Sequence, residues 1–84
     1  MFDSKKIIYV RYYALLRDER GCEVETLTTA ATTPLELYKN LQEQYKFRLS
    51  PELLRVAIND TFVLWTQPLK NNDTVVFIPP VSGG

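Results

Sequence analysis

The stretch that most constrains the fold of this chain is one amphipathic helix near its centre. Residues 33–36, Thr-Pro-Leu-Glu, place a capping hydroxyl, a proline at the first helical position and a glutamate three residues after the cap. Leu37, Leu41 and Tyr45 follow at intervals of four, so one stripe of the helix is apolar. The pattern predicts a helix of about three turns lying on a sheet, and it must cover that sheet alone because no other segment is long enough.

Five short segments rich in β-branched and aromatic residues are predicted to be the strands of that sheet. They span residues 7–13, 22–28, 56–58, 61–65 and 74–78. The long crossover through the helix permits the first and last strands to pair in parallel. This order of elements predicts an α+β fold of the β-grasp type, in which one main helix packs on one face of a mixed sheet.

The two-residue period of a strand predicts which side chains are buried. In the first strand the core face comprises Ile8, Val10 and Tyr12, because the opposite face includes Arg11. In the second strand, Cys22, Val24 and either Thr26 or Leu27 are expected to point inward. In the last strand, alternation puts Val75 and Phe77 on one face and Val76 and Ile78 on the other.

Composition limits the chemistry that this chain can perform. The 84 residues suffice for one domain, and ten basic residues balance ten acidic ones, so we expect neither nucleic acid nor a membrane as a partner. The sequence has no histidine, which removes the commonest general base and the commonest metal ligand together. The lone Cys22 is interpreted as a small hydrophobe rather than a persulfide site, and a single cysteine suits the reducing cytoplasm.

The C-terminus is the candidate functional element. Residues 79–84, Pro-Pro-Val-Ser-Gly-Gly, begin with two prolines that can neither pair in a sheet nor continue a helix. An extended segment of this length reaches on the order of 20 Å, and its final glycines are as thin as a polypeptide can be. We therefore predict a β-grasp domain over residues 1–78 and an extended tail over residues 79–84 that presents its carboxylate to a narrow pocket.

Motifs along nearly the whole chain resemble the ubiquitin-like sulfur carriers that end in Gly-Gly, in particular the small subunits of molybdopterin synthase. The ending Phe-x-Pro-Pro-Val-x-Gly-Gly over residues 77–84 is the most specific part of the resemblance. Asn72 stands where the family commonly has glycine, and asparagine can replace it because asparagine also adopts left-handed conformations. The other matching residues are Tyr12, Tyr13, Ala14, Arg17, Glu19, Gly21, Thr33, Leu37, Leu41, Val56, Ala57, Ile58, Asn59, Pro68, Leu69 and Asp73.

The resemblance implies a passive sulfur carrier in molybdenum cofactor biosynthesis. An ATP-dependent adenylating and sulfurating enzyme of the ubiquitin-activating type would activate the carboxylate of Gly84, and sulfur would displace AMP to leave a thiocarboxylate. The large catalytic subunit of molybdopterin synthase would then receive the tail, whose sulfur passes to a cyclic pyranopterin precursor. Gly83 would provide clearance in the tunnel. The chain itself would be no enzyme and would bind neither a cofactor nor a metal.

A carrier also needs a docking surface beside its tail. Tyr13 and Ile78 are expected on the sheet face away from the helix, and Phe62 follows a predicted turn at residues 59–60 and can join them. The alternative is that one or more of these side chains packs beneath a loop. Within the tail, the residues expected to contact the partner are Pro79, Pro80, Val81 and Ser82.

Three other functions remain open on the sequence. The same ending is compatible with a sulfur carrier for thiamine synthesis or tRNA thiolation. It is also compatible with a ubiquitin-like modifier that is conjugated to lysines through Gly84. A plain interaction domain whose tail has no role is the remaining alternative.

Overall fold

The computed structural model describes residues 5–80 and contains every element that the sequence predicts. Val81, Ser82, Gly83 and Gly84, which form the end of the predicted tail, lie outside the described residues. Along the chain the elements are β1 (Lys6–Tyr12), α1 (Ala14–Arg20), β2 (Val24–Thr29), α2 (Pro34–Tyr45), a 3₁₀ turn (Pro51–Leu53), β3 (Arg55–Ile58), β4 (Thr61–Val63) and β5 (Asp73–Ile78).

The five strands form one mixed sheet in the order β2-β1-β5-β3-β4. The central strands β1 and β5 are parallel, with Ile8 opposite Asp73 and Tyr12 opposite Phe77. The other pairs are antiparallel. The crossover through α2 makes the parallel pair sterically accessible. This topology, with α2 on one face, confirms the predicted ubiquitin-like β-grasp.

The start of α2 follows the predicted capping pattern with one variation. The Thr33 hydroxyl accepts a hydrogen bond from the Glu36 backbone N–H at 3.2 Å. The Glu36 carboxylate accepts from the backbone N–H of Thr32 at 2.7 Å, one residue before the cap. The helix ends with Lys46 in the left-handed region at φ 60°, and its N–H donates to the Gln42 carbonyl at 2.8 Å.

The core lies between α2 and the sheet, and it contains the predicted faces of β1 and β5. Ile8, Val10, Tyr12, Val75 and Phe77 are fully buried. The apolar stripe of α2 packs against them through Leu37, Tyr38 and Leu41, with Tyr45 half-buried beside the core. A second, shorter helix, α1, ends before Gly21 and buries Leu16 completely in the core.

The prediction that Val24 points inward is wrong. Val24 is 52% exposed, and the inward-facing residues of β2 are Glu25, Leu27 and Thr29. Opposite residues of an antiparallel pair share a face, and Glu25 is opposite the buried Val10. Cys22 is half-buried against the core and precedes the strand rather than forming part of it. The polar Glu25 is tolerated inside because other side chains bind its carboxylate.

The β3–β4 connection is the predicted two-residue turn, with Asn59 and Asp60 at φ 51° and 71°. Asn72 also adopts a positive φ of 72°, as expected for a residue in place of glycine. The strand predicted over residues 61–65 is shorter in the structure, because β4 ends at Val63. None of the helices within residues 5–80 has the length and apolarity needed to cross a membrane.

Candidate functional site at the root of the C-terminal tail

The tail leaves the fold from a rigid point. Phe77, two residues before Pro79, is fully buried in the middle of an aromatic cluster. Its ring centroid lies 5.1 Å from that of Tyr38 in an edge-on arrangement and 5.9 Å from that of Trp65 in a stacked one. Both geometries are favourable for aromatic pairs. The direction in which the chain leaves β5 is therefore determined by packing on α2 and on the segment after β4.

The same aromatic cluster includes Trp65, and its contacts show that this residue has a packing role. The indole is half-buried and packs against the core, and the backbone carbonyl of Trp65 accepts from the N–H of Leu35 at 3.1 Å. Trp65 thus ties the chain after β4 to the first turn of α2. Tyr38 donates its hydroxyl to the Leu49 carbonyl at 2.7 Å, and burial raises the pKa of this phenol to about 12. Both residues support the tail root by packing and hydrogen bonding.

Ile78 and Phe62 line one open groove beside the tail. Tyr13 lies directly after the neighbouring strand β1. The groove has a volume of about 540 Å³ and reaches from Leu53 to Pro79 and Pro80. Phe62 is 61% exposed and Ile78 is half-buried, so the alternative that Phe62 packs beneath a loop does not apply.

Tyr13 is 42% exposed and has extended backbone angles at the residue after β1. Because Tyr12 is opposite Phe77, continuation of this parallel register puts Tyr13 level with Ile78. Alternation puts both on the sheet face away from α2. The structure therefore brings Ile78 and Phe62 together at one groove and puts Tyr13 at the end of β1, level with Ile78.

Three residues at this surface were missed by reasoning from the sequence. Leu53 in the 3₁₀ turn is 55% exposed, and Leu64 just after β4 is 76% exposed. Arg55 lies opposite Ile78, and its guanidinium is 5.3 Å from the centroid of the Phe62 ring. The exposed leucines resemble core residues in sequence. Arg55 could have been found by continuing the alternation of the β3 strand, which puts residue 55 on the outer face with residue 57.

An ion pair on the helix side of the sheet stabilises the edge strand β2. Arg20 binds the Glu25 carboxylate through two hydrogen bonds of 2.9 and 2.7 Å, and the Tyr12 hydroxyl donates to the same carboxylate. The Arg20 guanidinium also lies 4.0 Å from the centroid of the Tyr45 ring. The hydrogen bonds from Arg20 hold the pKa of Glu25 below its usual range, and burial raises the pKa of Tyr12.

In the sequence, the adjacent residues Asp18, Glu19 and Arg20 resemble a solvated charge cluster. Only Asp18 has that character, with a side chain 72% exposed. Glu19 accepts from Arg48 at 3.1 Å, and Arg20 is held by Glu25. These contacts join α1 to distant segments, so the cluster is structural rather than a free binding surface.

The described residues at the tail root form a surface that is suited to binding. Within residues 5–80, no three His, Cys, Asp or Glu side chains are grouped so that they could hold a metal ion. The side chains of the groove at the tail root are aliphatic, aromatic and guanidinium groups, with one carboxylate, that of Glu52. Aromatic and guanidinium groups of this kind are common at protein interfaces.

Comparison with known proteins gives a consistent relationship. The sequence model of the ThiS family matches residues 10–84. The molybdopterin synthase sulfur carrier subunit of Escherichia coli K12 is 30% identical over 81 residues, which cover 93% of this chain and 100% of that protein.

Two solved structures illustrate the structural relationship. One is the complex of subunits 1 and 2 of molybdopterin-converting factor from Helicobacter pylori 26695; the compared chain is 26% identical, with a TM-score of 0.63 over 93% of this chain and 99% of that one. A ubiquitin from Caldiarchaeum subterraneum is 17% identical, with a TM-score of 0.64 over 96% of this chain and 100% of that one, which shows the common fold alone. From the family match over residues 10–84 and the full-length relative, the chain belongs to the ThiS family.

Proposed function

We propose that this chain is the sulfur-carrying small subunit of molybdopterin synthase. The observation that carries the proposal is its similarity, over the whole length of that relative, to a molybdopterin synthase sulfur carrier subunit. The ending Phe-x-Pro-Pro-Val-x-Gly-Gly over residues 77–84 supports it independently. The rigid aromatic packing of Phe77 also favours a tail presented in a defined direction.

The chemistry is centred on the carboxylate of Gly84. A carboxylate is a poor acyl donor, so an activating enzyme first joins it to the AMP part of ATP and releases pyrophosphate. Hydrosulfide then attacks the acyl carbon and displaces AMP, which leaves a thiocarboxylate at Gly84. The thiocarboxylate sulfur next bonds to a cyclic pyranopterin precursor in the large subunit. Water then cleaves the acyl–sulfur bond, so that the sulfur stays on the precursor and Gly84 returns to a carboxylate, and two such transfers build the dithiolene.

The fold supplies position and clearance for these steps. Pro79 and Pro80 keep the tail extended because each fixes φ and removes a backbone donor. We expect Val81 and Ser82 to contact the large subunit, and Gly83 would allow close passage because it has no side chain. We propose that ATP, activating groups and substrate contacts belong to partner proteins, and that the chain acts in the cytoplasm without a bound cofactor.

The docking surface of the proposed carrier consists of Tyr13, Phe62 and Ile78, together with the first residues of the tail. Phe62 and Ile78 line one groove beside Pro79 and Pro80. An exposed aromatic ring next to a half-buried aliphatic side chain is typical of the apolar centre of a protein interface. The large subunit is the partner we assign to this surface.

Mass spectrometry of the intact protein tests the proposal. The full chain is incubated with ATP, a sulfide source and a ubiquitin-type activating enzyme that is active on a known carrier. We expect one oxygen of the Gly84 carboxylate to be replaced by sulfur, and a chain lacking Gly83 and Gly84 to remain unchanged. Failure of the full chain to exchange, while the known carrier exchanges in the same mixture, would count against a sulfur-carrier function.

The pathway is tested separately by genetic deletion. Loss of molybdoenzyme activity with normal thiamine and tRNA thiolation supports the proposal. The opposite result indicates a carrier for one of those pathways. Isopeptide links between Gly84 and target lysines, without a molybdoenzyme defect, would indicate a protein modifier.

A further inference from the structure

The outer face of the sheet, which points away from α2, is positively charged although the chain as a whole has no net charge. Alternation and register define this face. Its strand residues include two arginines and neither aspartate nor glutamate. They are Ile7, Tyr9, Arg11, Val24, Thr26, Thr28, Arg55, Ala57, Phe62, Thr74, Val76 and Ile78.

Neither arginine of this face has a carboxylate partner within the part of the chain that the structure describes. The ion pairs of residues 5–80 join Arg17 to Asp18, Arg20 to Glu25 and Arg48 to Glu19. Arg11 and Arg55 are exposed and belong to none of them. Glu52 lines the same groove as Arg55, but the two form no ion pair within 4 Å.

The two guanidinium groups lie on either side of the apolar residues at the tail root. Arg55 is opposite Ile78, and Arg11 is opposite Val76 on the other side of β5. Arg11 on β1 and Arg55 on β3 are two strand spacings apart, because β5 lies between them, and their partners on β5 differ by two residues. The distance between the Cα atoms of the two arginines is therefore roughly 12 Å. Stacking on Phe62 orients the Arg55 side chain along the surface.

We propose that Arg11 and Arg55 determine which partner docks on this face, by pairing with carboxylates of the large subunit. The inference rests on the proposed function. A protein that covers Ile78 and Phe62 also removes water from the adjacent guanidinium groups. Burial of an unpaired cation is unfavourable, so a partner with carboxylates at these positions is selected over one with an apolar or basic surface.

Charge-reversal variants of the full chain test this pairing. R11E/R55E is compared with R11Q/R55Q and with the control K39E/K70E, which makes the same charge change at exposed residues outside the outer face. The Kd for the large subunit from the same organism is measured at low and high salt. We expect about 100-fold weaker binding for the reversal, about 10-fold for the glutamine pair and little change for the control.

Cross-linking provides a readout that a purely structural role would not produce. In R55K a primary amine replaces the guanidinium. A carbodiimide activates a carboxylate, and an amine in direct contact with that carboxylate then forms an amide bond with it. The carboxylate oxygen that is lost ends up in the urea formed from the carbodiimide. We expect a cross-link between position 55 and an Asp or Glu of the large subunit. The native Lys39, on α2, is the internal control and is expected to form none.

The outcomes separate this inference from the proposed function. If the wild-type chain does not bind the large subunit, the proposed function fails. If the wild type binds but R11E/R55E binds within about twofold of it, the pairing inference is overturned while the function stands.

Discussion

The side chains of Asn59 and Asp73 join the β3–β4 turn to the first residue of β5. Asn59 Nδ2 donates to Asp73 Oδ1 at 2.9 Å, and Asn59 Oδ1 accepts from the Thr74 backbone N–H at 2.9 Å. The second oxygen of Asp73 accepts from the Lys70 N–H at 2.8 Å. Asp73 is 8% exposed, so this carboxylate is satisfied by protein groups and determines where β5 begins.

Replacement of this carboxylate is expected to destabilise the fold. Asp73→Ala leaves the Asn59 amide and the Lys70 N–H without their acceptor, which should lower the free energy of unfolding by about 2–3 kcal/mol. Urea denaturation measures the change. The control Asp18→Ala removes a carboxylate that is 72% exposed and should change stability by less than about 0.5 kcal/mol. Equal effects of the two substitutions would contradict a bracing role for Asp73.

The ion pair of Glu25 predicts a defined dependence of stability on pH. Arg20 lowers the pKa of Glu25 from its usual value of 4.5. Its contribution to stability is therefore fully present above about pH 4.5 and is lost as the pH falls through the lower folded-state pKa. Urea unfolding of wild type and Glu25→Gln from pH 7 to pH 2 should show a stability difference that shrinks on acidification. A difference that is constant with pH would contradict this prediction.

The apolar centre of the docking surface can be tested at Ile78. Ile78→Glu puts a carboxylate into the proposed interface and should weaken binding of the large subunit by about tenfold or more. Thr28→Glu is the matched control, because it adds the same group to the same sheet face at the far edge strand. Isothermal titration calorimetry measures both, with circular dichroism to verify the fold. The same Kd for both variants would remove Ile78 from the interface.

The position of the terminal carboxylate should be critical for activity but not for folding. One alanine added after Gly84 moves the carboxylate and adds a side chain, so we expect no sulfur exchange under conditions that convert the wild type. Unfolding free energy should change by less than about 0.5 kcal/mol, because no core residue is altered. An alanine added before Met1 is the control. Exchange of the extended chain at the wild-type rate would refute the requirement for a terminal Gly-Gly.

Several structural features could be predicted from the sequence because they depend on nearby residues. The boundaries of α2 follow from the cap at Thr33, its proline and its apolar spacing. The buried faces of β1 and β5 follow from alternation of strongly apolar residues. The left-handed conformations at residues 59, 60 and 72 follow from the residue types there. In each case the decisive interactions span only a few positions along the chain.

The faces of β2 could not be predicted, because its inward polar residue depends on distant partners. Glu25 is stable inside only since Tyr12 and Arg20 bind its carboxylate, and no local pattern indicates those contacts. The alternation of the strand alone favoured Val24, which is exposed. The exposure of Leu53 and Leu64 also results from how the 3₁₀ turn and β4 pack, although both residues resemble core positions.

The sequence by itself determined the β-grasp topology, the main helix and the Gly-Gly tail, because periodicity, capping residues and prolines act through local backbone preferences. The tertiary structure alone decided what surrounds the root of that tail. Strand register puts Arg55 opposite Ile78, and the β3–β4 hairpin brings Phe62 beneath the guanidinium. Strands β3 and β5 meet only after the intervening residues 59–72 close, so the position of the hairpin beside the tail root follows from packing rather than from local sequence.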